Sequence, residues 1–453
     1  MRRLPLRLAV TAFAIALVTT LVATPSATAA PVVRNPGDPF YEVELSTGGL
    51  GHTWTGTQSI SFTNLEPAPL STLYLRVWSN GVVGCGGSPD SITVSAMQGG
   101  SFTEALDCTE LEVTLDSPLA QGARTTISFD LRIEVPERND RFGYHDGLAL
   151  VGTALPALEV HDDQGWHHDP FIDMGESFYS IAGRYRVALE TPAALDTPTT
   201  GVVASRTTPS PGRVRTTYVA RDVRDFAWAA GHLKRLVGHA RDARVAVSYQ
   251  PHVISHERAV RALRDAKRAM DTFSRSFGRY PYPEMDVVLA GFATFGGMEY
   301  PTIIFTNPDR TTVSHEVAHQ WWYGVVGDNE FAEPWLDESF ATWSEGLPFW
   351  GPWVGCGPYQ FARDDERISN DMAYWAAHPN LYGTVYGGGA CMLAELASRF
   401  GIERFTTILH NYAGHHWLGV ARTSEFQTAI EKAASKHLPG MDMAAFWELW
   451  RVG

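Results

Sequence analysis

The sequence predicts a multidomain protein: an antiparallel β domain over residues 31–249, then an α+β domain that becomes mainly helical over 250–453, both behind an export segment at 1–30. Three observations carry this reading. Residues 1–30 hold an arginine-led apolar run that ends in small residues, the stretch 31–249 has a hydrophobic period of two, and after Pro251 the period lengthens to between three and four. At 453 residues, with 44% hydrophobic and 19% charged residues, the chain can build more than one core and is not a disordered polymer.

In the export segment Arg2, Arg3 and Arg7 precede an uncharged run from Leu8 to Ala23, and Ala27, Ala29 and Ala30 follow. That is the layout of a secretory signal peptide; the alternative is a retained membrane anchor, since the apolar run is long for a signal. A secreted protein without stable membrane association after cleavage is the expectation. Without these residues the formal charge is −17 instead of −14, which argues against nucleic acid or an anionic membrane as partner.

Within the β domain, Leu111, Val113 and Leu115 alternate with polar residues, and Ile127, Phe129, Leu131, Ile133 and Val135 repeat the pattern. Arg184 to Glu190 and Val245 to Tyr249 alternate as well, whereas 191–213, rich in Thr, Pro and Ser, reads as a surface loop. In the second half Ser255 caps a predicted helix with an apolar stripe of Val260, Leu263, Ala266, Met270, Phe273 and Phe277, closed by Gly278. Met285–Leu289 and Thr302–Phe305 read as strands flanking a glycine-containing turn. Four cysteines in an exported chain favour disulfides, and of three possible pairings local closure selects Cys85 with Cys108 and Cys356 with Cys391.

The chemistry concentrates in TTVSHEVAHQWWYG, residues 311–324. Asp309, Thr311 and Thr312 are alternative caps for a helix that Gly324 can stop. On it His315 and His319 lie one turn apart on one face and can reach a single ion, while Glu316 projects about 100° around the axis. Two histidines do not make a zinc site; a catalytic one needs a third protein ligand and an open position. Glu338, in a second predicted helix after Pro334, supplies that ligand, with Asp337 and Glu345 as the competing carboxylates. The adjacent pairs His167-His168 and His415-His416 are poorly spaced for joint chelation and read as structural.

The pattern HExxH, eighteen residues, then Glu resembles the aminopeptidase N-like zinc metallopeptidases, the gluzincins; thermolysin-like endopeptidases, with a slightly longer gap, match less well. Gly296-Gly297-Met298-Glu299-Tyr300 stands where that family carries Gly-x-Met-Glu-Asn, with Tyr300 in place of Asn. Tyr386-Gly387-Gly388-Gly389-Ala390 resembles its Tyr-x-Lys-Gly-Ala, with Gly388 in place of Lys and Tyr382 as a rival tyrosine. The resemblance implies a thermolysin-like catalytic domain, one Zn²⁺ ion on His315, His319 and Glu338, and peptide substrates. It further implies Glu316 as general base, Tyr386 as donor to the oxyanion, and Glu299 as partner of the substrate's free α-amino group. Gly296 and Gly297 would offer backbone to the peptide and Met298 would line the first side-chain pocket. Glu159 and Glu176 are the candidates for a second amine-binding acid from the β domain. The chain is expected to be a short form without the family's C-terminal helical domain. A secreted metalloendopeptidase, or a catalytically silent binding protein on the same fold, are the competing readings.

Overall fold

The computed structural model describes residues 32–86, 91–353, 356 and 359–453, of which those from Val33 onward form one compact unit. The export segment 1–30 lies outside the described residues. Among the described residues no helix is long and apolar enough to cross a membrane.

The expected β half is present. In strand Gly37–Ser46 the buried Tyr41, Val43 and Leu45 alternate with exposed Glu42 and Glu44, and in Arg124–Glu134 Ile127, Phe129, Leu131 and Ile133 are buried. The period of two therefore does what it predicts, presenting one apolar face per strand. A seven-stranded sheet runs in the order 202–207, 213–223, 183–192, 37–46, 53–63, 124–134, 92–98. Its pairs are antiparallel except Gly37–Ser46 with Gly183–Pro192. A four-stranded sheet, in the order 157–158, 70–76, 110–119, 100–105, shares one core with it, Leu75 and Val113 belonging to the same cluster as Ile60 and Leu131.

The segment 191–213 is not only a loop. It contains strand Val202–Thr207 at the edge of the larger sheet, where five of the six side chains are exposed. A strand without a buried face shows no alternation, so composition misled.

A five-stranded sheet takes Lys234–His239 and Arg244–Tyr249 from before residue 250 and Glu284–Leu289, Ile303–Thr306 and Gly297–Met298 from after it. The last of these, at the edge, begins the Gly-Met-Glu stretch. Against this sheet packs helix His256–Phe277, capped by Ser255 Oγ, which accepts from Arg258 N at 3.3 Å, and closed by Gly278 at φ 118°. Its buried stripe runs through Ala259, Ala262, Ala266, Met270, Phe273 and Phe277; Val260 is exposed, one position round from Ala259. Further helices follow, including Arg310–Ala318, Trp335–Ser344, Gly389–Phe400, Ile402–His415 and Thr423–His437. Both disulfides form in the local pairing, Cys85–Cys108 and Cys356–Cys391.

The two halves are fitted tightly beside the future site. Tyr300 is buried with its hydroxyl 3.4 Å from Thr153 Oγ1, and a Cβ at Gly152 would lie 1.9 Å from that hydroxyl. Only glycine leaves room for the tyrosine there.

Candidate active site

The HExxH segment forms helix Arg310–Ala318. Of the three candidate caps, Asp309 serves: its carboxylate accepts from Thr312 N at 3.0 Å and from Thr312 Oγ1 at 2.7 Å. The regular helix ends at His319, five residues short of Gly324. The reason is local: the next turn tightens through Gln320 N to Val317 O, and Tyr323 at φ 130° cannot continue a helix. His319 keeps helical angles and its N–H still reaches His315 O at 3.2 Å, so the two imidazoles remain one turn apart. The second helix, Trp335–Ser344, is held against the first by Ser314 Oγ, which donates to Glu345 O at 2.7 Å, and by Trp322 Nε1, which donates to Ser344 Oγ at 3.2 Å.

Three acceptor atoms converge between these helices. His315 Nε2 lies 3.0 Å from Glu338 Oε2, His319 Nε2 is 3.1 Å from His315 Nε2, and His319 Nε2 is 3.4 Å from Glu338 Oε2. The far ring atoms are engaged: His319 Nδ1 donates to Trp322 O at 3.0 Å and His315 Nδ1 faces Glu345 Oε2 at 3.1 Å. Each Nε2 lone pair is thereby turned inward. Atoms of this kind repel at such distances unless positive charge lies between them. The edges match the roughly 3.3 Å expected between ligands of a tetrahedral zinc ion with bonds of about 2.0–2.1 Å. The residues present therefore fit a zinc ion. Electrostatics agree: burial disfavours the charged Glu338, yet the two imidazoles outweigh it and hold the carboxyl well below its usual range.

Glu345 is thus neither a ligand nor a surface charge but the group that orients His315. Glu345→Gln is expected to weaken zinc binding by roughly 10–100-fold while leaving the fold intact, as measured by competition against a chromophoric chelator.

A cavity of about 650 Å³ opens onto the triangle, and Glu316, Gly296, Gly297, Glu299, Tyr382 and Tyr386 all line it. Glu316 is buried, and burial, reinforced by Glu338 and Glu176 and opposed by His315, raises its carboxyl to about 8. A Cβ at Gly297 would come within 2.4 Å of Glu316 Oε1, so glycine is what lets this strand pass under the carboxylate. Glu299 is buried, its Oε1 has no hydrogen-bond partner, and burial first, then Glu176 and Glu316, push its carboxyl well above the usual range.

Met298 departs from expectation. It is fully buried with Sδ 3.1 Å from Arg141 Nη1, and it does not belong to the cavity wall. Along the extended backbone Gly297 and Glu299 face one side and Met298 the other. Tyr300, in the family's Asn position, points to Thr153 and is likewise absent from the wall.

Tyr386 sits in a single π-helical turn, Thr384–Gly388, that leads into helix Gly389–Phe400, an irregularity frequent at functional sites. Its hydroxyl donates to Glu338 Oε1 at 2.8 Å, and burial, with Glu338 beside it, keeps it protonated. Tyr382 shares the cavity; its hydroxyl is buried without a partner. Of the two β-domain acids, Glu176 lines the cavity and pairs with Arg141 Nη1 at 2.5 Å, whereas Glu159 pairs with Arg76 Nη1 at 3.0 Å away from it. Asp337 is not one of the triangle's three atoms: its Oδ1 accepts from Glu338 N at 2.6 Å, and it belongs to a second buried group with Glu299 and His319 whose oxygen and nitrogen atoms lie within 4.8 Å of one another. The sequence reading passed over Arg141, which gave no signal beyond its charge, and Gln320, whose position directly after His319 in a Trp-rich apolar run was the available clue.

No protein-family model matches the chain. It is 25% identical over 223 residues to Aminopeptidase M1-B of Oryza sativa subsp. japonica, covering 41% of this chain and 25% of that protein. It is 26% identical over 212 residues to Aminopeptidase M1 of Arabidopsis thaliana, covering 39% and 24% respectively. It is 26% identical over 220 residues to Glutamyl aminopeptidase of Bos taurus, covering 40% and 22%. The chain thus spans about a quarter of the length of these curated relatives. In fold it is similar to the crystal structure of an M1 zinc metallopeptidase from Deinococcus radiodurans, with a TM-score of 0.64 at 18% identity over 91% of this chain and 93% of that one. A mutant of that enzyme bound to a Tyr-Ser-Ala substrate gives a TM-score of 0.63, also at 18% identity, over 91% and 93%. Over about two-fifths of its length the chain is thus similar in sequence to M1 aminopeptidases, and over nearly all of it similar in fold to an M1 zinc metallopeptidase.

Proposed function

We propose that the protein is an exported zinc aminopeptidase that removes N-terminal residues from peptides. The observation that carries this reading is the unpartnered, buried Oε1 of Glu299 on the same cavity wall as the His315, His319 and Glu338 triangle. A buried carboxylate without a partner is costly, and a substrate ammonium removes the cost.

His315, His319 and Glu338 would hold one zinc ion. When bound, zinc supplies a Lewis acid that polarises a scissile carbonyl and lowers the pKa of water to about 7. The chain's own groups do the rest. Glu316 takes the proton of the attacking water and passes it to the leaving amine, a role suited to a carboxyl that burial has made more basic. Tyr386 stays protonated and can donate to the oxygen of the tetrahedral adduct. Gly297, in the edge strand, and Gly296 just before it let the peptide backbone approach closely. Glu299 binds the α-ammonium, with Glu176 as the second acid on the same wall. Two disulfides support export to an oxidising compartment.

Glu299→Ala is the direct test. Hydrolysis of free-amine peptides should fall by at least about 10²-fold, the scale on which a site built around a polar group loses the substrate that fills it. Cleavage of N-acetylated peptides should change little. Equal losses on both would remove amine recognition, and preferential cleavage of the blocked peptides by the unmodified enzyme would favour the endopeptidase.

A further inference from the structure

Gln320 follows the metal-ligand candidate His319 directly, is fully buried, and is itself neither a member of the triangle nor part of the cavity wall. Its amide makes four hydrogen bonds. Oε1 accepts from Thr302 N at 2.8 Å and from the Tyr280 hydroxyl at 3.1 Å. Nε2 donates to Glu299 O at 3.2 Å and to Tyr300 O at 3.1 Å. All the hydrogen-bonding capacity of a primary amide is spent, and the network admits one orientation, since Thr302 N–H can face only oxygen and the two carbonyls only nitrogen.

The partners matter more than their number. Strand Gly297–Met298 pairs with Ile303–Thr306 only through Gly297 opposite Thr306 and Met298 opposite Phe305, so the ladder stops before Glu299. Tyr300 O also accepts from Ile303 N at 3.1 Å, but the carbonyl of Glu299 itself is held by the side chain that directly follows the HExxH motif. We propose that Gln320 is the positioning residue that fixes Glu299 relative to His315 and His319, and so sets where a substrate's N-terminus stops. This rests on the aminopeptidase reading above. It assigns to one buried amide the spacing between the ammonium site and the reacting carbonyl, the quantity that makes cleavage occur after one residue.

Gln320→Glu separates the two ends of the clasp. It keeps an acceptor for Thr302 N and Tyr280 but sets a carboxylate oxygen against the carbonyls of Glu299 and Tyr300. Tyr280→Phe removes one bond from the other end and serves as the control for a general packing role. The readout is calorimetric binding to the zinc-loaded protein of two probes, leucine hydroxamate and its des-amino counterpart 4-methylpentanoyl hydroxamate, together with zinc content after dialysis. The unmodified protein should prefer the amino probe. Gln320→Glu should lose about tenfold or more of that preference, the worth of one misplaced charge-assisted hydrogen bond. It should still bind the des-amino probe within about threefold and retain its zinc, while Tyr280→Phe keeps the preference. If Gln320→Glu does not fold, Gln320→Met, equal in length and uncharged, takes its place. An unchanged preference in the Gln320 variant, equal loss of both probes, or equal loss in Tyr280→Phe would each overturn the proposal. Absence of any preference in the unmodified protein would instead overturn the aminopeptidase reading, before a variant is compared.

Discussion

Glu316→Gln is expected to retain zinc yet lose roughly 10²–10⁴-fold in turnover, the range a positioned general base contributes. The substitution is nearly isosteric, so the contact with Gly297, which leaves no room for even a Cβ, survives. It touches none of the three atoms of the triangle, whose distances are set by the two helices and by Glu345 and the Trp322 carbonyl. What disappears is proton acceptance alone. KM should therefore change much less than kcat, because the groups proposed to hold the substrate, Glu299 and the glycine strand, are untouched. Zinc content with steady-state kinetics checks this. A variant that kept wild-type turnover would move the base to another residue, and one that lost its zinc would show that Glu316 supports the ligands instead.

The parts of this arrangement that were legible in the sequence are those fixed by local geometry. Two histidines four apart stay on one face even though the regular helix ends at His319, because the His319 amide still reaches His315 O. A polar cap among Asp309, Thr311 and Thr312, the edge glycines and the strand alternation before residue 250 follow from single-residue stereochemistry in the same way, though only the fold shows that Asp309 is the cap. The misplacement of Met298 was avoidable on those terms, since an extended backbone sends neighbours of Gly297 and Glu299 to the opposite face. Other features depend on partners far away in the chain. Whether Glu159 or Glu176 entered the cavity turned on Arg76 and Arg141 finding one each, across 83 and 35 residues respectively. Strand Val202–Thr207 was hidden because edge exposure erases the period that reveals strands. Gln320 shows the intermediate case: its place directly after His319 was a clue left unused, and its four partners are set only by the fold.

Glu338→Ala should have the second large effect, and it separates metal binding from chemistry. The carboxylate is the sole anionic member of the triangle, so its loss leaves two imidazoles and should cost more affinity than the roughly 10–100-fold assigned to an orienting group such as Glu345. Activity in metal-buffered solution should vanish accordingly. The effect on stability is less obvious. Glu338 is buried among Glu176, Glu299, Glu316 and Asp337, so without a cation its removal relieves like-charge repulsion, at the expense of the bonds to His315 and Tyr386. The metal-free proteins should therefore melt at similar temperatures. With zinc they should diverge, because a ligand that binds only the folded chain adds about 4.1 kcal/mol at a thousandfold excess over Kd, and the variant forgoes it. Melting curves with and without a chelator measure both terms. If zinc stabilised the Glu338→Ala protein as much as the parent, the third ligand would have to be sought elsewhere, with Asp337, adjacent in the same helix, the first to test.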